Sequence, residues 1–161
     1  MPLEAHSQEK TIEADANAHR FEEILEEQGY LIYTTRGFSM MPLIRQHKDI
    51  VEIHPLIVLP KKYDICLYKR RTQYVLHRCI SVNPLIFVGD HNTRKEYDVT
   101  ESMLLGVVTR VIRDGKSIYP DNLLYKIYYH LWVDFFPIRV IILKWKAPFR
   151  RGMEMIKHLL K

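Results

Sequence analysis

Apolar positions change their period twice along the chain. Between residues 8 and 28, Ile12, Ala16, Phe21, Ile24, Leu25 and Gln28 recur every three or four positions, which predicts an amphipathic helix ended by Gly29. Its acidic side chains are expected to face solvent. From Tyr30 the period becomes two, and β-branched and aromatic residues dominate. That pattern predicts strands at 30–35, 49–54, 64–70, 73–82, 85–88, 104–113 and 116–119. Asp114-Gly115 joins the last two as a tight hairpin, because both turn positions need positive φ. From Asn122 helical spacing returns through Leu123, Leu124, Ile127, Tyr128, Leu131 and Trp132, until Pro137 interrupts it.

Three parts follow: an acidic helix over 1–29, a β domain over 30–120, and an aromatic, basic helical segment over 121–161. Strands that follow one another with no long helix between them predict a mainly β (α+β) chain. Its architecture is then an antiparallel sheet or partly open barrel flanked by helical segments.

Charge sharpens that division. The chain of 161 residues carries a net charge of +5. Residues 1–28 hold eight acids against Lys10 and Arg20, whereas residues 144–161 hold six bases against Glu154. A nucleic-acid binder with a continuous basic face is not expected from this distribution. Two cysteines, Cys66 and Cys79, make no disulfide framework, and the histidines show no metal-ligand spacing, so no cofactor or metal is expected. No stretch is long and uncharged enough to span a bilayer, which takes about 20 residues. The expectation is a cytoplasmic chain. Residues 121–161 either pack as helices on the sheet or meet a membrane surface peripherally, where aromatics beside Lys and Arg suit the headgroup region.

Candidate chemistry begins at Gly37-Phe38-Ser39-Met40-Met41-Pro42, a constrained loop between two predicted strands. Serine is a weak nucleophile without a base beside it. His77 lies in Val75-Leu76-His77-Arg78-Cys79-Ile80, where alternation puts Val75, His77 and Cys79 on one face. An imidazole on an apolar face is partly desolvated, which favours the neutral form that accepts a proton. A third segment, Phe87-Val88-Gly89-Asp90-His91-Asn92, ends a strand in a Gly-Asp turn.

The order of GFSMMP (37–42), KDIVEI (48–53), YDICLY (63–68), VLHRCI (75–80), FVGDHN (87–92) and LLGVVTRVI (104–112) resembles the signal peptidase I and LexA-type serine peptidases. The resemblance covers roughly residues 30–113. Bacterial members place lysine before the strand arginine. His77 at that position resembles instead the archaeal and endoplasmic-reticulum type, a Ser–His pair supported by an aspartate.

The resemblance implies a serine endopeptidase that cuts a signal, leader or precursor peptide after small residues, with substrate bound as an extended strand. It implies Ser39 as nucleophile, His77 as general base and then general acid, and the Ser39 N–H beside Gly37 as oxyanion donor. For the supporting acid, Asp98 is preferred, with Asp90 fixing its loop; Asp90 and Glu96 remain alternatives. Arg78 is expected to pair with a carboxylate on the opposite face. Two other readings compete: a non-catalytic module of the same fold that binds a peptide or a membrane, and a LexA-like regulator that cuts its own linker. Against the latter, no Ala-Gly or Cys-Gly pair precedes Ser39, and the acidic N-terminal arm is too short for a helix-turn-helix domain.

Overall fold

A computed structural model of the protein describes residues 21–143. The first half of the expected N-terminal helix and the basic end, 144–161, lie outside the described residues. The described residues fall into two compact units, divided after Pro120.

In the first unit, helix α1 (Phe21–Gln28) precedes strands β1 (Leu31–Thr34), β2 (Ile50–Pro55), β3 (Ile65–Arg70), β4 (Gln73–Val82), β5 (Leu85–Val88), β6 (Leu104–Arg113) and β7 (Lys116–Ile118). Each expected strand is present to within a residue or two, because alternating apolar residues are stable only where one face meets a core. The sheet is antiparallel and open, in the order β1-β2-β6-β3-β4-β5, with β7 also on β6. Strand β6 is the seam. Its residues 106–112 pair with β2, while on its other edge β3 takes the first half and β7 the second. Asp114 and Gly115 both adopt positive φ, at 49° and 77°, as their hairpin requires.

Alternation sorts the β3–β4–β5 region into two faces. The two-residue turn Arg71-Thr72 sets Cys66 opposite His77 and Tyr68 opposite Val75, and Cys79 lies opposite Phe87. Cys66, Tyr68, Cys79, Phe87 and Val99 form a buried apolar cluster on that face. Both cysteines are free thiols within it. Helix α1 buries Phe21 and Leu25; Gln28, counted with its apolar stripe, is exposed. Phe21 stacks on Tyr74 at 4.4 Å between ring centroids. Glu22 does not face solvent as expected. It accepts from Tyr74 and Lys69 and ties the helix to the β3–β4 hairpin.

The second unit holds α2 (Leu123–Asp134), capped where the Asn122 side chain accepts from the Leu124 N–H at 2.9 Å, and helical turns over 136–143. Its exposed side carries Leu124, Ile127, Leu131, Phe135, Ile138 and Ile142. Among the described residues no helix is long and apolar enough to cross a membrane.

Candidate active site

Ser39 sits in the turn that follows β1. Ser39 is partly exposed, and Met41 N–H closes the turn on the Phe38 carbonyl at 3.0 Å. A buried electrostatic clamp behind the loop fixes it. Asp49 is wholly buried and accepts from the Arg45 backbone N–H at 2.8 Å, from Arg45 Nε at 2.9 Å, and from Arg113 Nη2 at 2.8 Å. Arg113 also donates to the Leu43 carbonyl, so β6 holds the segment just past Pro42. Burial pushes the Asp49 carboxyl up, but the Arg45 and Arg113 hydrogen bonds outweigh it and hold it below the ordinary aspartate value.

His77 is 3% exposed, on the same face of β4 as Cys79. Its tip meets the Ser39 loop across Gly89. A methyl group at Gly89 would lie 2.7 Å from the Ser39 carbonyl oxygen and 2.9 Å from His77 Nε2, distances no real Cβ tolerates. Glycine is therefore a steric requirement for the two segments to converge. His91 N–H donates to that same Ser39 carbonyl at 2.7 Å, locking the turn to the loop. Among the described residues Ser39 Oγ makes no hydrogen bond with His77, and the Ser39 N–H meets no acceptor.

The other side of the imidazole is crowded with partners. Nδ1 lies 3.2 Å from Glu96 Oε2 and 3.1 Å from the Tyr68 hydroxyl, which itself donates to Glu96 Oε2. Glu96 is carried there by an isolated antiparallel bridge to Phe87, with Phe87 N–H to Glu96 O at 3.0 Å and the reverse bond at 2.8 Å. Residues opposite one another share a face, so Glu96 falls in with Phe87, Tyr68 and His77. Burial raises the Glu96 carboxyl, but its hydrogen bonds to His77 and Tyr68 and the charge of Arg70, 3.5 Å away, leave it below the usual glutamate value.

Asp98, expected to orient His77, does not reach it. Its exposed carboxylate pairs with Arg70 Nη2 at 2.9 Å, and the place beside Nδ1 is taken by Glu96. The chain leaves the bridge after Glu96, so the acid two residues on is carried out over Arg70. Asp90 does not touch the imidazole either. It is fully buried in a two-pronged pair with Arg78, at 2.8 Å from Nε and 2.6 Å from Nη2, which pins the turn bearing Gly89. The loop-fixing part expected of Asp90 and the structural pairing expected of Arg78 are the same contact. Gly37 lies in the loop before Ser39, partly exposed. Tyr68 and Asn92, the latter with its amide nitrogen 3.5 Å from Nε2, were not singled out in the sequence. The signal for Tyr68 was present in the two-residue β3–β4 turn, from which the shared face with His77 follows.

The described residues contain no group of three or more His, Cys, Asp or Glu arranged to hold a metal ion. No family model, curated protein or solved structure matches the chain.

Proposed function

We propose that the protein is a serine endopeptidase of the signal peptidase type, cutting a signal, leader or precursor peptide after small residues. One observation carries the reading. The Ser39 loop and His77 Nε2 converge on a glycine where an added Cβ would collide with both, while the opposite ring nitrogen is engaged by a largely buried acid. In this scheme Ser39 Oγ attacks the scissile carbonyl carbon as His77 Nε2 takes its proton. The resulting oxyanion is met by the Ser39 N–H. His77 then gives its proton to the departing amine, and a water activated by the same nitrogen hydrolyses the acyl-serine. Glu96 supports the imidazolium in place of the aspartate of the His-type enzymes. Among the described residues strand β1 pairs only with β2, and it leads into the Ser39 loop, which suits a peptide added as a further strand beside the nucleophile.

The reading extends to location. The exposed apolar side of the second unit, followed in sequence by Lys144, Lys146, Arg150 and Arg151, supports peripheral contact with an anionic membrane. Co-sedimentation with phosphatidylglycerol vesicles should fall when Leu124, Ile127 and Leu131 become serine. Unchanged sedimentation would discard the contact.

The test of the chemistry is covalent labelling with a peptidyl phosphonate, together with cleavage of a peptide library bearing small residues. Wild type should label at Ser39, and Ser39→Ala and His77→Ala should abolish both signals. Folded wild-type protein that neither labels nor cleaves would return the chain to a non-catalytic binding module.

A further inference from the structure

We propose that Tyr68 is a positioning residue that fixes the tautomer of His77, an inference that rests on the peptidase reading above. Three groups meet around one carboxylate oxygen: the Tyr68 hydroxyl, His77 Nδ1 and, farther out, Arg70 Nη2 all address Glu96 Oε2. The phenol has one proton and spends it on Glu96. Its oxygen lies 3.1 Å from Nδ1 and has only lone pairs to offer there. Both neighbours of Nδ1, the phenol oxygen and the carboxylate, are therefore acceptors. A neutral imidazole in that setting carries its hydrogen on Nδ1, shared between the two oxygens, and leaves Nε2 bare. Bare Nε2 is the atom facing Gly89 and the Ser39 loop. It is the only tautomer that can take the serine proton.

Tyr68 holds this arrangement across the working pH range. Burial pushes its phenol well above the ordinary tyrosine value, and the negative charge of Glu96 adds to that, so the hydroxyl stays a donor. The ring is wholly buried, tilted against Phe87 at 5.3 Å. A second effect follows from the shared oxygen. With Arg70 anchored by Asp98 and Tyr68 donating from the strand, Glu96 cannot rotate away when substrate enters. Asp98 thus acts at third remove from the imidazole, through Arg70 and Glu96.

Tyr68→Phe removes one oxygen and keeps the ring against Phe87, so the variant should fold. Long-range ¹H–¹⁵N correlation spectra report directly which ring nitrogen of His77 bears hydrogen, with no substrate needed. Wild type should show a single form with hydrogen on Nδ1. Tyr68→Phe should show a mixture of both tautomers. Its phosphonate labelling rate should fall roughly 10- to 100-fold, with the concentration dependence of labelling unchanged; a fully wrong tautomer costs up to about 10⁴-fold in sites of this kind. Glu96→Gln, which leaves Tyr68 in place, should give the same mixing, because the amide can turn its NH2 donor instead of an oxygen toward Nδ1. Hydrogen on Nε2 in wild type, or an unmixed Nδ1–H form with wild-type labelling in Tyr68→Phe, would overturn the assignment. Wild-type protein that never labels sinks the peptidase reading alone, and the tautomer spectra then decide for or against Tyr68 by themselves.

Discussion

Gly89→Ala is the smallest change that tests the convergence at the heart of the site, because it alters none of the reactive groups. The added Cβ would meet the Ser39 carbonyl at 2.7 Å, the Asn92 side-chain nitrogen at 2.9 Å and His77 Nε2 at 2.9 Å. Unstrained contacts to carbon begin near 3.5 Å, so neighbours on three sides must retreat by roughly 0.6–0.8 Å. Two of the three do not retreat freely: the Ser39 carbonyl is bonded to His91 N–H, and the imidazole is held from behind by Glu96 and Tyr68. Overpacking of this kind costs about 1–3 kcal/mol, or several degrees in Tm for a unit of this size. The effect on reaction should be larger than the effect on stability. Misplacing reacting groups by about 1 Å costs on the order of 10²-fold. The assay pairs the phosphonate labelling rate with a thermal melt of the same sample. A folded Gly89→Ala protein that labels at the wild-type rate would show that Ser39 and His77 do not act together across this position.

Three further outcomes follow from the geometry. Asp98→Ala should slow peptide cleavage less than about threefold whereas Glu96→Ala slows it 10²-fold or more, since only Glu96 meets the imidazole; equal losses would restore Asp98 to the site. Asp90→Ala takes the two-pronged carboxylate from the buried Arg78 guanidinium, so chemical denaturation should show a loss of about 3–5 kcal/mol; a catalytic defect at undiminished stability would instead make Asp90 part of the chemistry. Asp49 has a folded-state pKa below its unfolded one, so its ion pairs stabilise fully above the unfolded value near 4 and lose that contribution as pH falls through the folded value. Denaturant midpoints should be flat from pH 7 to about 5 and drop below 4, and this drop should be smaller in Asp49→Asn, where only the other lowered carboxylates, Glu22, Glu52 and Glu96, remain.

Strands were readable because a sheet with a buried face leaves a period-two trace, and the Asp114-Gly115 turn is fixed by two backbone dihedrals with few other solutions. Ser39, His77 and the Gly89 turn were readable for a different reason: each lies inside or beside such a strand, with a motif around it. The supporting acid was not. Between Asn92 and Thr100 the chain has no periodicity, and Arg94-Lys95-Glu96-Tyr97-Asp98 offers two carboxylates two residues apart. What separates them is a single backbone bridge from Glu96 to Phe87, a long-range contact with no local signature. The solvent face assigned to the acids of the first helix failed at Glu22 in the same way, because Lys69 and Tyr74 come to it from a distant hairpin.

Strand β6 has a temporal consequence. Ser39 follows β1 on one side of the seam, and His77 lies on β4 on the other. Among the described residues, neighbouring strands join these halves only through residues 104–113. A nascent chain extended to residue 100 already carries Ser39, His77 and Glu96, yet no strand pairing then joins the first to the other two. Non-local pairing of this kind forms late. The Ser39 loop and the His77 strand thereby come into one sheet in a single step, when β6 slots between two waiting halves.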